Sequence, residues 1–318
     1  MRRSAACAVI ILTGAVLLAC VGCQAAGLRF LSLIGLQKDP LSIALVVNQP
    51  GAVAAAAVNP FPDFAGLQKA LSDDLRRPVA VDLCFPFQVE SELRSGWYEL
   101  AMLPPFAYAT LKETPPLPVL AVAVDEHGQA ARGAVLVVPT RSDIQAIADL
   151  RGKIVAFGPA GDDRTHYAAL QLLQSVGLRE TDLSLELLPV PRSLKHLPDM
   201  RSVAQTVINN SSDAGFIDEA AWNALPEHTT KENEPARSQL RVIGRTVALP
   251  CRLVVASPKL DSATVAEVRE FLLSADTKHP QALQPLKLSD FQPPTEAILT
   301  ACRALRPPTS SSAEPPPP

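Results

Sequence analysis

Between residues 41 and 305, short apolar runs alternate with amphipathic stretches, and this alternation constrains the fold more than any other feature. Ser42-Ile-Ala-Leu-Val-Val47 reads as a strand. Pro62-Asp63 opens a helix in which Phe64, Leu67, Leu71 and Leu75 recur at helical spacing. A second strand is expected over Pro78–Leu83, a helix over Gln88–Ser95 closed by Gly96, and a third strand over Tyr98–Leu103. The pattern resumes with a strand over Lys153–Phe157 and a helix over Asp163–Val176 that ends at Gly177. A strand over Leu185–Leu188, a helix over Met200–Ile208 and a strand over Asp213–Ile217 follow. Such alternation predicts an α/β fold with largely parallel sheets and right-handed crossovers.

A chain of 318 residues, 47% of them hydrophobic, buries a large core and divides into one large or two medium domains. The Pro-rich stretch Thr114–Pro118 and the strand Gly133–Val138 suggest a crossing between two lobes near residue 130, and the polar stretch Pro226–Pro235 carries the chain back. The expected division is lobe 1 over 41–130 plus 236–305 and lobe 2 over 131–235. The Pro-rich tail over 306–318 has no means of packing and is expected to be disordered. A formal net charge of −3 argues against a nucleic-acid partner, which requires a basic stripe to meet phosphates.

The N-terminus reads as an address. Arg2 and Arg3 precede the apolar run Ala5–Ala19, of signal-peptide length, and no other stretch is apolar enough to enter a bilayer. Leu17-Leu18-Ala19-Cys20 resembles a bacterial lipobox, with Cys23 a second candidate, and an uncleaved anchor or plain secretion as the alternatives. The expectation is a signal peptide over 1–19, lipidation of Cys20 and a tether over 20–40. The protein is then exported, periplasmic or at the cell surface, and held to the membrane by its lipid. Cleavage before Cys20 removes Arg2 and Arg3 and takes the net charge from −3 to −5. Cys84, Cys251 and Cys302 are too widely spaced for a disulfide framework and are expected as buried thiols, with one bridge possible.

Three segments, in order, resemble the phosphonate-binding periplasmic protein family, the substrate-binding proteins of ABC importers. They are Gln88–Gly96 with Glu99–Tyr108, then Ser142–Gly158, then Val203–Asp218. The resemblance covers about residues 41–305 and implies a two-lobed type 2 periplasmic-binding fold with a ligand cleft between the lobes. It also implies a small-molecule ligand, an ABC permease as partner, no cofactor and no catalysis. Where the family carries G-S-T-S after the second segment, this chain has Gly161-Asp162-Asp163-Arg164, then Thr165 and His166.

Two carboxylates facing a bound anion would repel it by roughly 4 kcal/mol each at about 4 Å. Arg164 is expected to offset this with a fork toward the ligand, and Thr165 to add one hydroxyl. In the bland reading, Asp162 or Asp163 simply caps the helix. Tyr108 matches a ligand-touching tyrosine and reads equally as a packed core residue. Asp218 matches a position that pairs with a ligand ammonium and reads equally as a helix cap. The family's histidine falls on Met200 or His196.

None of the five histidines has metalloprotease spacing, and no nucleophile elbow or phosphate loop occurs. The only enzyme-like constellation is Asp162, Asp163 and His166, which share one helical turn and offer ligands to a metal. A further alternative keeps the fold without import, as a ligand-presenting sensor accessory or an interaction module that has lost phosphonate binding.

Overall fold

The computed structural model describes residues 39–47, 61–112, 114–185, 193–228 and 235–305. The expected signal peptide, Cys20, all but the last residues of the tether, the tail over 306–318 and most of the strand expected over Leu185–Leu188 lie outside them. No helix among the described residues is long and apolar enough to cross a membrane.

The described residues open with strand β1 (Leu41–Val46), helix α1 (Phe61–Leu75), β2 (Val79–Cys84) and α2 (Pro86–Ser95). Next come β3 (Leu100–Leu103), α3 (Pro105–Ala109), β4 (Val119–Asp125) and β5 (Ala134–Pro139). Strand β6 (Val155–Phe157) leads into a π-helical turn over Asp163–Tyr167, continued by α4 (Ala168–Ser175). Then follow β7 (Lys195–His196), α5 (Met200–Ile208), β8 (Ala214–Asp218) and α6 (Glu219–Ala224). The last third holds β9 (Leu240–Arg245), β10 (Leu253–Ala256), α7 (Ser262–Leu273), β11 (Leu288–Gln292) and a closing helix over Glu296–Arg303. Gly96 ends α2 as expected, at φ 77, with its N–H on the carbonyls of Glu92 and Leu93.

These elements form two compact units. The first has a six-stranded sheet in the order β11-β4-β10-β3-β1-β2. One face of it packs Ile43, Val81 and Met102 against Phe64, Leu67 and Leu71 of α1 and Phe271 of α7. Each such side chain, fully buried, contributes about 1.5–3 kcal/mol. The helical spacing read in the sequence is therefore the packed stripe of α1.

The second unit has a five-stranded sheet, β7-β6-β8-β5-β9, covered on both faces. Leu136, Val138, Val155, Phe157 and Phe216 meet Ala169 and Leu173 of α4 on one face. Val135, Val137, Ala156 and Ile217 meet Val203, Ala204 and Val207 of α5 on the other. Burial of both faces explains why these strands are continuous apolar runs.

Two expectations need correction. The sheets are mixed: β1 runs parallel to β2 and β3, and β6 to β7 and β8, whereas β10 is antiparallel to β3 and β4, and β5 to β8 and β9. Parallel neighbours need a crossover between them. Strands that enter a sheet after a long excursion carry no such requirement, and β5, β9 and β10 are of this kind. The boundaries also move. Residues 131–249 and the closing helix group together, and 250–295 return to the first unit. Strand β9 completes the second sheet by pairing with β5, so the return falls at Pro250 rather than near 235. Cys84, Cys251 and Cys302 are thiols, and Cys84 and Cys302 are buried. Burial is the first cause that pushes the Cys84 and Cys302 thiols up to about 12.

Candidate functional site

Parallel strands β6 and β8 end side by side, and their carboxyl ends release the Gly158–Thr165 loop and Asp218. Strand β5 runs antiparallel to β8 with Ala134 opposite Asp218, which brings Arg132 to the same edge. Oriented backbone donors and variable loops collect at such carboxyl ends in α/β sheets. The edge therefore holds the loop and Asp218 expected from the sequence, and Arg132, which was not.

Asp162 caps the helix that follows. Its Oδ1 accepts from the Arg164 N–H at 3.1 Å, the Thr165 N–H at 2.7 Å and the Thr165 hydroxyl at 2.7 Å. The turn over Asp163–Tyr167 is π-helical, with the His166 and Tyr167 N–H groups both on the Asp162 carbonyl. Thr165 is 0% exposed, and its hydroxyl, expected as a donor to the ligand, donates to Asp162. The loop approaches closely enough to require Gly158 without a Cβ: one there would lie 2.2 Å from Thr165 Oγ1 and 2.5 Å from Met200 Cε. Replacing Asp162 by Ala removes the cap and leaves the Thr165 hydroxyl buried. The expected loss is about 1–2 kcal/mol in urea unfolding, most of it recovered by Asp162→Asn.

Arg164 does not extend its fork away from the protein. Its Nε donates to the Arg132 carbonyl at 3.0 Å, its Nη2 to the Leu249 carbonyl at 3.4 Å, and its Nη1 lies 3.6 Å from Asp218 Oδ2. Arg132 Nε lies 3.1 Å from Asp218 Oδ1. The same carboxylate caps α6 through the Ala220 N–H at 2.9 Å, so Asp218 is both a cap and an ion-pair partner. Glu219, next in sequence, accepts from Gly133 N–H at 3.0 Å and pairs with Arg245 at 2.6 Å.

Beneath the loop lies an aromatic group. Phe157 stacks on Phe216 with centroids 5.4 Å apart, His196 stands edge-on to His166 at 4.7 Å, and His166 stacks on Tyr167 at 4.8 Å. His166 Nδ1 accepts the Gly161 N–H at 2.7 Å. Burial, followed by the proximity of His196, lowers His166 from 6.5 to about 4, with Asp162 acting in the opposite sense. His166 is therefore neutral at pH 7 and folds the loop as an acceptor.

As pH falls below 6.5 the unfolded chain takes a proton that the folded chain refuses until about 4, so stability present at neutral pH is lost across that window. The full difference corresponds to about 3 kcal/mol, and the partial exposure of His166 reduces the expected loss to on the order of 2 kcal/mol, read as a falling unfolding midpoint. His166→Asn, whose Oδ1 accepts the same N–H, should lose less over that interval.

Both candidates for the family histidine lie at this edge: His196 beside His166, and Met200 with its sulfur accepting the Asp218 N–H at 3.4 Å. Asp213 accepts the Ile154 N–H at 2.8 Å and anchors the start of β6. Asp163 lies near Tyr167 and Cys302, adding to the burial that raises both. Among the described residues no three His, Cys, Asp or Glu side chains are grouped to hold a metal ion. Chelation by Asp162, Asp163 and His166 is the less favoured reading; Asp162 caps the helix and His166 Nδ1 takes a loop hydrogen bond. Tyr108 belongs to the first unit, on α3 just beyond the carboxyl end of β3, and is 9% exposed.

Known structures share this fold. XAC2383 from Xanthomonas citri, solved with ATP, matches 83% of this chain and 95% of its own at 17% identity, TM-score 0.61. PhnD1 from Prochlorococcus marinus, solved with methylphosphonate, matches 83% and 96% at 16% identity, TM-score 0.55. The likeness shows the mixed α/β fold of type 2 periplasmic binding proteins. The family model for the periplasmic phosphonate substrate-binding protein of ABC transporters matches residues 61–298, most of the chain. By that match the protein belongs to the phosphonate-binding family of periplasmic substrate-binding proteins of ABC transporters.

Proposed function

We propose that this chain is an exported solute-binding lipoprotein, anchored through Cys20, that captures a small phosphate- or phosphonate-class ligand by hinge closure and delivers it to an ABC permease. No bond is made or broken. The supporting observation is the group of guanidiniums, Arg132 and Arg164, at the carboxyl ends of β6 and β8, beside the Gly161–Thr165 loop. Oriented positive charge at a sheet edge is what an oxyanion requires. Tyr108, Gly161, Asp162, Asp163, Arg164, Thr165 and Asp218 remain the proposed ligand site, with Asp162 and Thr165 acting through the shape of the loop.

A thermal-shift screen tests this reading, with methylphosphonate, ATP, phosphate, sulfate, polyamines and divalent metals in the panel. A ligand at about 1,000 times its dissociation constant adds roughly 4 kcal/mol of stability, a shift of several degrees. Tyr108→Phe, which keeps the buried ring and removes only the hydroxyl, should reduce the shift while its ligand-free midpoint stays near that of the parent. A shift with amines or metals alone would discard the oxyanion. One observation favours the second reading, a module that no longer binds phosphonate: Asp162, a carboxylate of the chain itself, takes the donors at the helix start. No shift with any oxyanion is the outcome that supports it.

A further inference from the structure

We infer that Phe85 and Phe87 form a platform for a flat ring on the ligand, so that the chain prefers a phosphorus oxyanion with an aryl substituent to one with a small alkyl group. This rests on the reading of the chain as a receptor for phosphorus oxyanions. The two rings stack with centroids 5.6 Å apart and planes 13° apart. Phe85 is 45% exposed and Phe87 80%, the highest value for a large apolar side chain among the described residues. Folding of the first unit does not account for that exposure. Phe85 stands at the N-cap of α2 and makes no capping hydrogen bond, where Ser, Asp or Asn would accept one. The buried stripe of α2 is Val89 and Leu93, and Phe87, two residues before Val89, lies off it. Pro86, at the first helical position, fixes the turn between the two rings.

The place of the pair in the sheet points to a small molecule as its partner. Strand β1 lies between β2 and β3 and runs parallel to both, so the three carboxyl ends share one edge. At that edge β2 leads into Phe85 and Phe87, and β3 leads into α3 with Tyr108. Ligands of α/β sheets collect at such carboxyl ends. One strand separates the ends of β2 and β3, a span of about 10 Å that a single organic molecule bridges. Together the rings expose about 250 Å². A protein partner covers about 800 Å² on each side, whereas one aromatic ring is matched by two. Offset stacking rewards a planar ring beyond its apolar area, which an alkyl group of equal size does not gain.

Methylphosphonate, cyclohexylphosphonate and phenylphosphonate share a headgroup and differ in the substituent, and calorimetric titration of the full chain with each reads the platform directly. Phenylphosphonate is expected to bind at least about tenfold more tightly than methylphosphonate, and more tightly than cyclohexylphosphonate, whose puckered ring does not stack. Phe87→Ala and Phe85→Ala should each narrow the phenyl-to-methyl ratio, and Phe87→Tyr, which keeps the ring, should hold it. Binding of phenylphosphonate no tighter than either comparison compound overturns the inference and leaves the phosphonate reading standing. A ratio unchanged in both alanine variants also overturns it. So does a ligand-free unfolding midpoint several degrees lower in Phe87→Ala, which would show the ring packed by the chain itself. Silence of the parent chain toward all three compounds and toward inorganic phosphate overturns the receptor reading and the inference together.

Discussion

Replacing Phe157 by Ala is expected to cost about 3–5 kcal/mol, the range for emptying a buried aromatic site. Phe157 is 0% exposed at the end of β6, stacked on Phe216 and touching the rings of His196 and His166. Its removal takes away both core contact and the floor beneath the Gly161–Thr165 loop. Backbone flanking the cavity belongs to β6 and β8, which have little freedom to collapse because both faces of the sheet are packed. Chemical denaturation gives the loss, and Phe157→Leu, which refills part of the volume, should recover about half of it. A loss below 1 kcal/mol would show that the aromatic group is not a unit.

Asp218→Ala should rank next, at about 2–3 kcal/mol. Breaking a buried pair costs about 3–5 kcal/mol, and the partial exposure of these groups reduces that figure. The variant leaves Arg132 and Arg164 facing each other and removes the cap of α6. Asp218→Asn keeps an acceptor for the Ala220 N–H and loses only the charge, so the two variants separate the cap from the ion pair. Added salt should reduce the Asp218→Ala defect by screening the two guanidiniums. A defect insensitive to salt assigns the loss to the cap instead.

The local elements were legible because their causes are local. The Phe64-Leu67-Leu71 stripe, Gly96 at the end of α2 and the span of α5 follow from spacing and backbone preference within a few residues. The same holds for Asp162: capping was one of its two readings, and the Asp at the helix start fulfils it. Expecting the Asp162 and Asp163 carboxylates to confront a ligand required knowing where they point, and the sequence carries no such information. Arg132 was missed because its role comes from Asp218, 86 residues away, through the antiparallel pairing of β5 with β8. The strand expected to lie in a parallel sheet is the strand that brings it there.

By itself, the sequence determined the alternation of elements, their apolar faces, the family and the composition of the loop after β6. Each of these is set by short-range periodicity or by residues contiguous in the chain. Only the tertiary structure decided the strand directions, the return of the chain at Pro250, the burial of Thr165 and the capture of Asp218 by two arginines. Those outcomes depend on which distant segments share a sheet edge. Charge at such an edge is fixed by contacts between segments that the linear order does not make neighbours.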